Sequence, residues 1–175
     1  MNAVKVILAV AAVASFSVSA QTCKTSINKS HPTQQFVVNS DGTVTDVING
    51  LMWTYCSFGE TFSNSACTGD PTNVSSWQAA LNTVSGYSFA GHNDWRLPNI
   101  KELSHLVERS CVNPAIDLDV FPSTSSTVYW SNTPDVNHIN AIPGIEGMVV
   151  DFKDGTEFVT DVNSHKLIRL VRTIN

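Results

Sequence analysis

The chain has 175 residues, of which 42% are hydrophobic and 14% charged, and its formal net charge is −5. Its ten Lys and Arg residues form no stripe or cluster, which argues against nucleic acid or an anionic membrane surface as a partner. The length suits one domain with its own core, and no internal repeat, low-complexity tract or Pro-rich linker divides it.

The first twenty residues read as a secretory signal peptide. Lys5 supplies a positive n-region, Val6 to Phe16 a short apolar h-region, and "SVSA" the small residues that precede a cleavage site at Ala20. The apolar run falls short of the about 20 residues that a membrane span needs, so no membrane insertion is expected. Cys23 follows "AQT" rather than a lipobox. Cleavage leaves a single domain, residues 21–175, with nine Lys plus Arg against fifteen Asp plus Glu, a net charge of −6. The expected location is outside the cytoplasm, in the periplasm, at the cell surface or secreted.

Cys23, Cys56, Cys67 and Cys111 all lie in the exported part, and an even count in an oxidising compartment reads as two disulfides with three possible connectivities. Cys56 and Cys67 bracket one polar loop, so the local pair is the first guess, leaving Cys23 with Cys111. No C-x-x-C motif or nearby His pair offers zinc spacing.

A polar lead is followed by a β-meander in "FVVNSDGTVTDVINGLMWTYC". "SDG" (40–42) and "NG" (49–50) are turn signals, the second a type I′ hairpin dipeptide. Thr43 to Ile48 and Leu51 to Cys56 are rich in β-branched and aromatic residues, and adjacent Met52 and Trp53 must point to opposite faces of a strand. "SFGETFSNSACTGDPTN" is a polar, turn-rich surface loop. A helix follows: Ser75 with Gln78 matches a capping box, Trp77, Ala80, Leu81 and Val84 make one apolar stripe, and Gly86 suits the position just past its end. Trp77 is expected in the core rather than as a ligand platform.

"GHNDWRLPNIKEL" (91–103) is the densest stretch. Asn99 sits where an N-cap belongs and Glu102 at N3, the second capping box. Ile100, Leu103, Leu106 and Val107 give the second helix a buried stripe running to about Arg109. Trp95 and Leu97 alternate with Arg96, whose planar fork suits a partly buried ion pair with Asp94 or Glu102. Catalysis would need a nucleophile or general base, and His92 is the one nearby candidate. The stretch reads as a structural joint. Beyond Cys111 come a Pro-punctuated loop, the strand "TVYWSN", a long loop at 133–147, and three strands in "MVVDF", "TEFVT" and "HKLIRLVRTI". Strands, two helices, then strands make an α+β layout with an antiparallel sheet.

These residues resemble the Lcl C-terminal domain family of bacterial exported proteins. The matches run in order through "VTDVINGLMW" (44–53), "CSFGETFSNSACTG" (56–69), "SWQAAL" (76–81), "AGHNDWRLPNIKEL" (90–103), "CVNPAID" (111–117), "YWSN" (129–132), "VDFKDG" (150–155) and "IRLVR" (168–172). The resemblance implies a C-type-lectin-like fold, with two helices packed on a small antiparallel sheet and long loops on one side. It also implies the pairs Cys56–Cys67 and Cys23–Cys111. The founding member's domain ends a collagen-like surface adhesin associated with sulfated polysaccharide and attachment; this chain carries no collagen-like repeat. Asn49 stands where the family usually has Thr.

Fold alone does not give function. Calcium-dependent lectins pair a Glu/Gln-Pro-Asn/Asp triplet with "WND", whereas this chain has "WSN" at 130–132 and no such triplet. Calcium takes six to eight oxygens; Asp117 with Asp119, or Asp151 with Asp154, offers some, though each pair reads first as loop charge. No cofactor is expected, and calcium is the one candidate ion. The stretch 131–147, which includes the end of the preceding strand, carries Asn132, Asp135, Asn137, His138, Asn140 and Glu146, amides and carboxylates suited to sugar hydroxyls, with Tyr129 or Trp130 as a stacking face. The expectation is a binding module for a glycan or other cell-surface ligand, a neutral sugar suiting an acidic chain better than a sulfated one. The alternatives are a protein-interaction subunit of a surface assembly, or an enzyme. A related lectin-like fold hosts the formylglycine-generating enzyme, but that chemistry needs a free cysteine, and none is expected here.

Overall fold

The structure, a computed structural model, describes residues 20–135 and 146–174. After β1 (Thr22–Cys23), β2 (Phe36–Val38), β3 (Thr43–Asp46) and β4 (Leu51–Thr54) form an antiparallel meander. β5 (Thr61–Ser63) and β6 (Ala66–Thr68) make a small hairpin, followed by α1 (Trp77–Val84), α2 (Ile100–His105) and β7 (Cys111–Val112). β8 (Val128–Pro134), β9 (Glu146–Asp151) and β10 (Thr156–Asp161) build a three-stranded antiparallel sheet. β11 (Val171–Thr173) returns to pair with β4, giving the order β11-β4-β3-β2. Among the described residues the architecture is α+β, with two helices, small antiparallel sheets and two disulfides, Cys23–Cys111 and Cys56–Cys67.

Several local expectations shift. "NG" at 49–50 does not make a two-residue hairpin: Asp46 pairs with Leu51 across a four-residue loop. Asp46 is the reason. One of its carboxylate oxygens accepts the N–H groups of Ile48 and Asn49, and the other accepts the Asn49 side chain, so the acid closes the turn itself. The positive-φ hairpin appears instead at Asn64 and Ser65 (φ 50° and 60°), between β5 and β6, where a plain surface loop was expected. Helix α1 is capped by Ser76, not Ser75, and the Ser76 hydroxyl accepts the Ala79 N–H at 3.1 Å. Trp77 N–H is already committed to Val162 O at 2.8 Å, a tertiary bond that sets where the helix begins.

α2 is shorter than its apolar stripe suggests. It ends at His105, and Val107 already bridges to Ile116. The closing segment is also less regular than one strand: only Val171–Thr173 joins a sheet, while Lys166 and Leu167 make single bridges to Val74 and Tyr129.

The core lies on both faces of β8 and β9. Tyr129 and Val150 belong to one buried cluster with Trp53, Leu103 and Leu106; Trp130 and Val149 belong to a second with Ala80, Trp95 and Leu97. Alternate side chains of each strand therefore enter different cores, one against α2 and one against α1. That explains the unbroken apolar runs at 128–130 and 148–150. Tyr129 and Trp130 are both fully buried, so neither offers the stacking face expected of one of them. Of Met52 and Trp53, the tryptophan takes the core.

Candidate functional site

The joint at 94–102 folds as its sequence suggests. Trp95 is buried and its indole N–H donates to Phe89 O at 3.0 Å. Arg96 bridges Val171 through its backbone, and its guanidinium forks onto Glu102 with bonds of 2.7 and 2.8 Å. Glu102 also accepts Asn99 N–H at 2.8 Å while Asn99 accepts Glu102 N–H at 2.9 Å, a complete capping box. Burial pushes the Glu102 carboxyl up, but the bonds from Arg96 and Asn99 outweigh it and hold the group below the usual carboxylate range. Asp94, the other candidate partner, turns away to Arg172 at 2.7 Å, and that bond lowers its pKa. His92 exchanges backbone bonds with Phe89 and sets its ring edge-on to Trp95 at 6.5 Å, with no side-chain hydrogen bond among the described residues.

The joint also holds the mouth of the long loop. Asn132 N–H donates to Pro98 O at 2.7 Å, and Ile100 N–H, the first of α2, donates to the Thr133 hydroxyl at 2.9 Å. Trp77 reaches across from α1 and donates to Ser131 O at 2.8 Å. Ser131 in turn donates to Met148 O at 2.7 Å, and Asp135 N–H donates to Glu146 O at 2.8 Å. Both helices and the Pro98 turn thus converge on the end of β8, where its pairing with β9 is irregular between Trp130 and Pro134.

Three of the six candidate ligand residues come together there. Asn132 and Glu146 are half-buried at the rim; Asp135 is buried and belongs to the base of the loop. Asn137, His138 and Asn140 lie outside the described residues.

The sequence profile of the Lcl C-terminal domain matches residues 42–172. The chain belongs to that family. No curated protein matches it. The matched span holds both helices, Cys56–Cys67, the joint and the β8–β9 mouth, whereas β1 and β2 precede it. In this Lcl C-terminal domain, Cys23–Cys111 therefore staples an N-terminal extension onto the matched unit, and the Gln21 side chain reinforces it by donating to Pro114 O and Ile116 O, each at 2.7 Å.

The calcium-candidate carboxylates have local duties in this member of the family. Asp117 pairs with Lys29 at 3.0 Å and accepts Asp119 N–H; Asp151 accepts Lys153 N–H, and Asp154 accepts Thr156 N–H. Among the described residues, Cys56, Glu60 and Cys67 lie as close together as metal ligands would, but the two sulfurs are bonded to each other. No free thiol is present.

Two features escaped the sequence reading. Arg169 is fully buried and, among the described residues, has no carboxylate in hydrogen-bond contact. It donates to Thr54 O, Tyr55 O, Ser57 and Thr124, and lies over the Phe121 ring at 4.8 Å. Its signal was a lone cation inside "LIRLV". The second is a groove of about 520 Å³ beside the Cys23–Cys111 bond, lined by Lys24, Ile27, Lys29, Asp117, Leu118 and Asp119. Nothing in the polar lead announced it, because its other wall is about ninety residues away in sequence.

Proposed function

We propose that this Lcl C-terminal domain is an exported, C-type-lectin-like binding module for a glycan or other cell-surface ligand, acting by binding rather than catalysis. The observation that carries this reading is the convergence of Trp77, Pro98 and Ile100 on residues 131–133, which fixes the base of a loop rich in amides and carboxylates. A rigid scaffold that presents a variable loop is where binding residues concentrate. Rim residues Asn132 and Glu146 supply donors and an acceptor suited to sugar hydroxyls, and the net negative chain favours a neutral sugar over a sulfated one. Both cysteine pairs are oxidised, which supports export and leaves no thiol for formylglycine-type chemistry.

The test is a glycan array probed with and without EDTA, using the wild type and a variant whose residues 136–145 are replaced by a Gly/Ser linker. Thr133 and Asp135 stay in that variant, since they brace α2 and the loop base. Loss of binding with an unchanged melting temperature is expected. Undiminished binding by the folded variant would move the site elsewhere.

One observation favours a second reading, an assembly subunit. β2 is a sheet edge on which Val37 and Val38 are each 46% exposed, and Ile48 in the neighbouring turn is 60% exposed. Exposed apolar edges invite strand pairing with another chain. Sedimentation of the wild type against Val38→Lys would show whether that edge associates.

A further inference from the structure

We infer that the depression between the β5–β6 hairpin and the α1–α2 connection binds a single alkylammonium group. Its walls are the half-buried rings of Phe58, Phe62, Tyr87 and Phe89, and Glu60 stands at its side with Ser57 beneath. Phe58 and Tyr87 meet edge to face at 5.6 Å, and Tyr87 and Phe89 stack at 6.5 Å, so the ring positions brace one another. Aromatic faces attract cations through their quadrupole, and a carboxylate beside them adds charge.

Two polar atoms there have no hydrogen bond among the described residues. Glu60 uses Oε2 for Ser57 N–H (2.7 Å) and the Ser123 hydroxyl (2.8 Å), leaving Oε1 available. The Tyr87 hydroxyl makes no hydrogen bond, and burial raises its pKa, so it stays protonated and its oxygen remains an acceptor. A carboxylate oxygen, a phenol oxygen and π faces suit an ammonium, which has donors and no acceptor.

Size selects among ammonium ions. The free volume is about 20 Å³, room for one group of water's size. A primary ammonium fits; a trimethylammonium head does not. Arg169 lies behind Ser57 and feels the charge of Glu60, which offsets part of the attraction.

The inference is independent of the ligand at the β8–β9 mouth. It is tested by NMR titration of the full exported chain with methylammonium chloride, against methanol and choline chloride at matched ionic strength. Expected are saturable shifts confined to Phe58, Glu60, Phe62, Tyr87 and Phe89 with methylammonium, and none with methanol or choline. Glu60→Gln keeps an acceptor for Ser57 and should weaken binding about tenfold. Shifts that never saturate, that choline reproduces, or that persist undiminished in Glu60→Gln would overturn the assignment. Glucosamine against N-acetylglucosamine, and lysine amide against its Nε-acetyl form, then distinguish an amino sugar from a protein side chain as the source. If neither free amine binds better than its acetylated form, the assignment also falls.

Discussion

The hydrogen that Gly147 carries in place of a side chain lets Trp130 close against β9. A Cβ there would sit 2.9 Å from the Trp130 ring and 3.5 Å from Trp77. Gly147→Ala should therefore cost about 1–3 kcal/mol through overpacking. The measurement is the urea midpoint, and a variant as stable as the wild type would show that the site yields. A second residue-scale prediction concerns His105. Gln35 donates its amide to Asp46 at 3.1 Å, and the same nitrogen lies 2.7 Å from His105 Nε2, which must then accept and be unprotonated. Burial, then the nearby His31, hold the His105 pKa below its ordinary 6.5 against the pull of Asp46. The unfolded chain thus binds the proton more readily than the folded one. The stability this contributes is complete above pH 6.5 and is lost as pH falls through the folded pKa. A further loss begins below the ordinary carboxyl value of 4.5. Burial pushes Glu108 up there, but bonds from Ser110 and Ser30 keep its folded pKa lower. Urea unfolding across this range should show both declines, with His105→Gln removing only the first. Local residue signals such as Asn99 and Glu102 were legible in the sequence because a capping box needs only four consecutive positions. Ser76 was not separable from Ser75, because the bond that decides between them runs from Trp77 N–H to the distant Val162 carbonyl.

Single polar bonds between elements set how α2 sits on its neighbours. The Arg96–Glu102 fork joins the strand-like approach to α2, but the Arg96 side chain is 36% exposed. Its loss belongs between the values for open and sealed ion pairs, and Arg96→Ala should cost about 2 kcal/mol. A larger loss, in the range expected for a sealed pair, would mean that solvent reaches the fork less than its exposure implies. Thr133→Val removes the hydroxyl that receives Ile100 N–H and should cost about 1 kcal/mol. If the mouth depends on this brace, the variant also weakens ligand binding, which a purely structural loss elsewhere in α2 would not do. Helices were visible from their periodicity. The β5–β6 hairpin and the four-residue Asp46 turn were not, because side-chain acceptors and positive φ angles set them rather than an apolar pattern.

For the whole molecule, non-reducing peptide mapping should link Cys23 to Cys111 and Cys56 to Cys67; a Cys56–Cys111 peptide would contradict the fold. Replacing Cys23 and Cys111 by Ser should cost about 4–5 kcal/mol, since that bond closes a separation of 88 residues, against roughly 2–3 for the separation of 11 at Cys56–Cys67. The fold class and both helices could be read along the chain, but which elements share a core could not. Tyr129 and Trp130 look like a strand with one wet face, and only the packing of both helices around β8 shows otherwise. The same holds for Arg169, whose partners Thr54, Tyr55 and Thr124 are 45 to 115 residues away.

The sheet order β11-β4-β3-β2 also sets a schedule. A chain made N-terminus first completes β2, β3 and β4 early, yet the free side of β4 waits for Val171–Thr173, more than a hundred residues further along the chain. Until then Trp53 sits in a strand with an open edge, and distant contacts of this kind make folding slow and prone to wrong pairing. Loss of Val171–Thr173 would leave the earliest-made sheet permanently unfinished.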